Sequence, residues 1–199
     1  MKKALLLCSA IFFIACDKKP QPAATEAVAA TEMPVINDGF KIFLDQFPEV
    51  SLPLEIKACE ARTDLKTIDA AISNPFTKEE GSYVYGKFSV DDKHIGVITL
   101  HAADCFIPYL AVYSLNGKLI DSKPISIGQC SEGPCYKCEE ILQISRSLTI
   151  HVSDTMQSFD CDEDDLPKGP PLTTDILYRE GKITDAGKIE LSEEKKKQL

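Results

Sequence analysis

Cys130, Cys135 and Cys138 fall within nine residues, CSEGPCYKC, and Cys161 follows further on. This C-x4-C-x2-C spacing with a distant fourth cysteine can hold a two-iron, two-sulfur cluster on four thiolates. Its second half, Cys135-Tyr136-Lys137-Cys138, is also a C-x-x-C pair, the arrangement of dithiol redox sites. Tetrahedral zinc could use Cys135 and Cys138 with Cys130 or Cys161, although the chain has no H-x3-H pattern to add histidine ligands. The fourth chemistry is mechanical: disulfides that staple a loop with little apolar area of its own.

The local context separates these readings. Redox dithiols of the thioredoxin type sit at a helix N-terminus, where the dipole favours the thiolate. Here Pro134 precedes the pair, a strand pattern follows, and Glu139 and Glu140 oppose the help that Lys137 could give. A cluster or zinc site would also leave Cys59 and Cys105 as a spare pair. Six cysteines beyond residue 16 make an even count, the signature of disulfides in an exported domain. Cys59, Cys105, Cys130, Cys135, Cys138 and Cys161 are therefore expected to be disulfide-bonded, and six cysteines allow 15 pairings that sequence does not separate.

The export signal lies at the start of the chain. Lys2 and Lys3 are followed by an apolar run, Ala4 to Ile14. Eleven residues are too few for a spanning helix, which needs about 20, but suit a signal-peptide core. The run ends in Phe13-Ile14-Ala15-Cys16, which resembles the lipobox of bacterial lipoproteins, with Phe13 where leucine is more usual. The resemblance implies cleavage before Cys16 and lipid on that residue. Several acyl chains would anchor the chain stably, each buried CH₂ contributing about 0.8 kcal/mol. The expected location is extracytoplasmic, on the cell membrane or the outer membrane. Residues 17–38 are rich in Pro, Ala and Thr and have no apolar period, as in a tether. Residues 39–192 form one β-rich domain, and residues 193–199 a charged tail.

Charge narrows the partners. Loss of residues 1–15 removes Lys2 and Lys3, so 22 basic residues become 20 against 31 acidic ones, a formal net charge of −11. An acidic body without a basic stripe disfavours nucleic acid. The partners expected are the membrane, through the lipid, and an envelope protein or ligand of unknown identity. The densest charge is Asp160-Cys161-Asp162-Glu163-Asp164-Asp165. Asp160, Asp162 and Asp164 alternate as in a calcium loop, but Asp165 and Pro171 occupy the positions where an EF-hand needs Gly and Glu. The readings are a non-EF calcium site or a solvated acidic loop.

Other reactive residues are scattered. His101 lies near Asp104 and Cys105, but a Cys–His nucleophile needs hydrogen-bond reach and Cys105 is expected to be oxidised. His94 and His151 fall on strand-like segments. Serines occur outside any G-x-S-x-G or S-x-x-K context, and no Gly-rich phosphate loop is present. No motif supports catalysis. Tyr83, Tyr85, Phe106, Tyr109 and Tyr113 lie on adjacent strand patterns, as core or as a binding face.

The elements that must position these residues follow from periodicity. Asp38 can cap a helix over GFKIFLDQF, with Phe40, Phe43, Leu44 and Phe47 on one face. A second helix is expected over residues 64–73, capped by Thr63. Leu52 to Ala58 has a strand pattern in which Pro53 demands an edge. Beyond residue 80 the period is two, with strands at 83–90, 94–101, 106–114, 118–127, 140–144, 148–152, 175–179 and 182–191. Asn116-Gly117 predicts a type I′ hairpin, Arg146-Ser147 a turn, and Gly181 the turn before the last strand. The fold expected is mainly β: an antiparallel meander forming a sandwich or partial barrel, with two short N-terminal helices and disulfide staples.

The short signal, the Pro/Ala/Thr tether and the turns Asn116-Gly117-Lys118 and Glu180-Gly181-Lys182 resemble the β-rich lipoproteins of Bacteroidetes-type bacteria. That resemblance implies an architecture and no activity. The expected role is a lipid-anchored binding or accessory module. The alternatives are a periplasmic thiol-redox protein using Cys135 and Cys138, and an immunity or inhibitor lipoprotein.

Overall fold

A computed structural model describes residues 37–60, 62–77, 81–128, 130–131 and 133–199. The signal segment, Cys16 and the tether up to residue 36 lie outside the described residues. Two antiparallel sheets face each other. The first is a four-stranded meander of β2 (Tyr83–Ser89), β3 (His94–His101), β4 (Ile107–Ser114) and β5 (Leu119–Pro124). The second runs β1 (Leu54–Lys57), β6 (Tyr136–Ile144), β7 (Thr149–Cys161), β8 (Pro167–Ile183) and β10 (Lys195–Gln198), with β9 (Ile189–Leu191) also on β8. β1 occupies an edge, where Pro53 costs no ladder hydrogen bond. Among the described residues no helix is long and apolar enough to cross a membrane.

Alternation along the strands builds the core. Ile98, Leu110 and Val112 of the first sheet meet Leu142, Ile144, Ile150 and Val152 of the second, all 1% exposed or less. The sandwich expected from the period-two pattern is thus what the chain forms. The intervening positions of β3 and β4, Val97 and Tyr113, face the opposite way and are buried by helix α1 (Asp38–Leu44). Phe40, Phe43 and Leu44 supply its apolar face, with Phe47 just beyond. The helix starts one residue earlier than the expected Asp38 cap, because Asn37 accepts the Gly39 N–H through its side chain.

The second helix shrinks to one turn, α2 (Ala70–Ser73), capped by Asp69 rather than Thr63. Residues 64–69 instead lie along β2: Ile68 N donates to Ser82 O and Val84 N to Lys66 O. A strand edge with open hydrogen-bonding groups outcompetes a short helix containing β-branched Thr67 and Ile68.

Four hairpins use one turn design. In each, the fourth loop residue has positive φ: Gly117 at 86°, Leu148 at 62°, Asp165 at 60° and Gly187 at 72°. In each, the first residue and the fifth exchange a hydrogen bond, as Ser114 N does to Lys118 O and Asp162 N to Leu166 O. The side-chain oxygen of the first residue then accepts the fifth N–H, from Ser114, Ser145, Asp162 and Thr184 alike. This is a type I turn closed by a left-handed residue, so the type I′ turn expected at Asn116-Gly117 does not form. Gly181 is no turn residue. It lies inside β8 opposite Ile150 and Leu191, where a Cβ would collide with the Glu190 carbonyl, and the chain reverses at residues 184–187 instead. β7 and β8 run on far past the core, to Cys161 and back from Pro167, through polar and Pro-rich sequence without apolar alternation. Lys195–Gln198, within the charged tail, pairs with β8 from Tyr178 to Asp175.

Candidate functional site

All six cysteines of the body are paired, and all three bonds lie at one end of the sandwich. Cys59, just after β1, joins Cys105, just before β4, with Cα atoms 4.5 Å apart. The bond ties the edge of the second sheet to the first, and Phe106 N donates to Ala58 O beside it. Cys130, on the segment leaving β5, joins Cys138 in β6, Cα to Cα 5.4 Å. Cys135 joins Cys161 at the end of β7, Cα to Cα 5.9 Å, and Phe159 N donates to Cys135 O alongside.

The C-x-x-C pair is therefore split between two bonds. Cys135 precedes β6 with φ at 60°, while Cys138 lies within the strand, so the two sulfurs serve different partners. The four cysteines of the cluster spacing are likewise consumed pairwise. The sulfurs of Cys130 and Cys138 and a carboxylate oxygen of Asp154 lie within 4.8 Å of one another, but disulfide sulfurs are not thiolate ligands.

Among the described residues, that is the one place where three such ligand atoms converge. Asp160, Asp162 and Asp164 do not meet in this way. Asp160 lies opposite Lys168 at the tip of the β7–β8 ribbon. Asp162 Oδ1 accepts the Asp164 and Leu166 N–H groups and so shapes the turn. Asp164 is exposed.

Two clefts open among the disulfides, and Glu140 borders both. One, of about 510 Å³, is lined by Lys57, Cys59, Glu60, Tyr136, Glu139 and Glu140 among others. Its rim carries an exposed ion pair, Lys57 to Glu139 at 3.6 Å. The second, of about 280 Å³, lies between the Asp104–Ile107 segment and Ser126, Gly128 and Cys130. The Glu140 side chain reaches this cleft from β6. It is 2% exposed; Oε2 accepts the Gly128 N–H at 2.8 Å and Oε1 has no hydrogen-bond partner. Ser126, 8% exposed, likewise has an unpartnered Oγ. A buried polar group without a partner costs about 1–3 kcal/mol, so two beside one cleft are a site feature in need of a reason.

The electrostatics reinforce this. Glu140 stands directly opposite Asp154 across β6 and β7, and Asp154 is fully buried. Two acidic side chains thus share one register at this end. Tyr136 shares the neighbourhood: burial, and then the Asp154 charge, push its phenol above the ordinary value.

Both acids were detectable in sequence. Cys138, Glu140, Leu142 and Ile144 share one face of β6, and Asp154 continues the face of Ile150 and Val152, so each is an acid in a core register. Ser126 carried no such signal.

The remaining reactive residues are accounted for elsewhere. His101 pairs with Ser82 rather than Cys105: Ser82 Oγ and His101 Nε2 lie 2.9 Å apart, and the ring stacks on Tyr109 at 4.1 Å. The distance suits a nucleophile and its base, but Ser82 is 1% exposed and offers a substrate no access. His94 Nδ1 lies 2.9 Å from Asp91 Oδ2. Burial raises the Asp91 carboxyl, yet hydrogen bonds from the His94 ring and from the Lys93 and His94 N–H groups hold it below its ordinary value. His151 lies near Tyr178, ring centroids 6.1 Å apart. Of the aromatic set, Tyr113 is core and donates to Phe76 O, and Tyr83 packs edge-on against Phe106. No family model matches the chain, and neither a curated protein nor a solved structure does.

Proposed function

We propose that the chain is a lipid-anchored binding module of the cell envelope, tethered through Cys16 and working through the cross-linked end of its sandwich. The lipobox FIAC at residues 13–16 and the Pro/Ala/Thr segment behind it support the anchoring. The even cysteine set, paired without remainder, suits an oxidising compartment. One observation carries the binding role: Glu140 is buried between two clefts with a carboxylate oxygen unpaired. The split of Cys135 and Cys138 between two bonds favours this role over thiol-redox work.

The experiment has two arms. Cells expressing the full chain are labelled with radioactive palmitate, and the protein is then captured from envelope extracts. Label on the chain, lost in Cys16→Ala, together with a co-purifying partner or ligand lost in Glu140→Gln, is the expected result. An unlabelled chain, or one that retains no partner or ligand, contradicts the corresponding half.

A further inference from the structure

The smaller cleft has a composition that selects among ligands. Resting on the reading of this end as a binding site, we infer that the cleft between Asp104 and Ser126 takes a primary alkylammonium group, with Glu140 as its counter-charge. Two of its lining residues carry an acceptor with nothing to accept, Glu140 Oε1 and Ser126 Oγ. A third, Asp104, adds an exposed carboxylate. An ammonium has three N–H donors and no acceptor, the kind of group that unpaired acceptors and a buried carboxylate call for. Gly128 N holds the other Glu140 oxygen, so the carboxylate is fixed before a ligand arrives.

The walls argue for carbon behind the charge. Ala103, Phe106 and Ile107 are among the residues lining the cleft, and an alkyl stem covers apolar surface. The volume of about 280 Å³ exceeds the share of a single water, about 30 Å³, several-fold, and so admits a short chain. A calcium ion would call for 6–8 oxygen ligands and gain nothing from the carbon walls. An anion would face Glu140 and Asp104 at once. The ammonium could belong to a small free amine or to a lysine side chain of a partner, and the chemistry at Glu140 is the same.

The test is a nuclear magnetic resonance titration of the full chain, disulfides intact, following the Gly128 amide. The probes are 1,5-diaminopentane, N-acetyl-lysine amide, 1,5-pentanediol and calcium chloride. A saturable shift with either amine and none with the diol supports the inference, and which amine binds more tightly identifies the source. Glu140→Gln keeps the shape and should weaken amine binding about tenfold or more, the loss expected for a buried charged hydrogen bond. Asp104→Asn changes an exposed rim residue and should weaken it by about threefold without affecting folding. If calcium or the diol moves Gly128 and the amines do not, the ammonium assignment is wrong while the binding site stands. If no probe moves an amide lining either cleft and envelope capture also recovers nothing, both readings fall.

Discussion

Between the sheets, Ile98, Leu110, Ile144 and Val152 are buried against one another and carry no polar atom beyond the backbone. At the cross-linked end, Glu140, Asp154 and Ser126 are buried too, and two of them have an atom without a partner. The first region is held by area: a fully buried Leu or Ile contributes about 1.5–3 kcal/mol. The second is formed by loops with exposed Gly128, Ser131, Gly133 and Pro134, where such area is scarce. Covalent bonds take its place. The difference teaches how this end tolerates an unpaired carboxylate oxygen and hydroxyl: cross-linked loops, rather than a second apolar face, close over these strand ends.

Substitutions can break this contrast. Replacing Cys59 and Cys105 by serine frees a loop of sequence separation 46 and should cost about 4 kcal/mol in urea unfolding. Leu110→Ala, at 0% exposure, should cost about 3 kcal/mol with an unchanged denaturant slope. Replacing Cys130 and Cys138, separated by only 8 residues, should cost about 2.5 kcal/mol. In that variant, amide exchange should quicken around residues 128–138 while β3 and β4 keep their protection. Loss of protection in β3 and β4 as well would mean that the two regions are one cooperative unit.

Smaller effects sharpen the boundary. Asn37→Ala removes the cap of α1 and should cost about 1 kcal/mol, leaving the cross-linked end untouched. Asp91 has a carboxyl held below its ordinary value of 3.8 by hydrogen bonds in the folded state. Its stabilisation is therefore full above that value and disappears as pH falls through the lower folded value. Wild type and Asp91→Asn should differ in thermal midpoint at pH 6 and converge as the carboxyl protonates; a gap that widens on acidification would reverse the sign.

The same contrast divides what was legible in sequence. Period-two alternation located β2, β3 and β4 to within a residue or two, because along them fully buried positions largely alternate with half-buried ones. The helix at Phe40–Phe47 was equally plain. The β7–β8 ribbon was missed beyond Val152, since its extension is set by pairing between polar strands and leaves no apolar signature. Gly181 misled because a glycine needed for close approach to Glu190 looks, in sequence, like a glycine needed for a turn. At the candidate site, the participation of all six cysteines was readable and their pairing was not, because pairing depends on which loops the sheets bring together. Glu140 was passed over, although its register, on a face shared with Leu142 and Ile144, held the signal. Ser126 offered none, since a serine in a loop-flanking segment is ordinarily exposed.

The most direct measurement is disulfide mapping by mass spectrometry on unreduced protein, alkylated before digestion. The expected result is three linked pairs, Cys59 with Cys105, Cys130 with Cys138 and Cys135 with Cys161, and no alkylated cysteine beyond residue 16. A Cys135–Cys138 link, or alkylation of either in fresh material, would contradict the view that these sulfurs build the binding end rather than react in it.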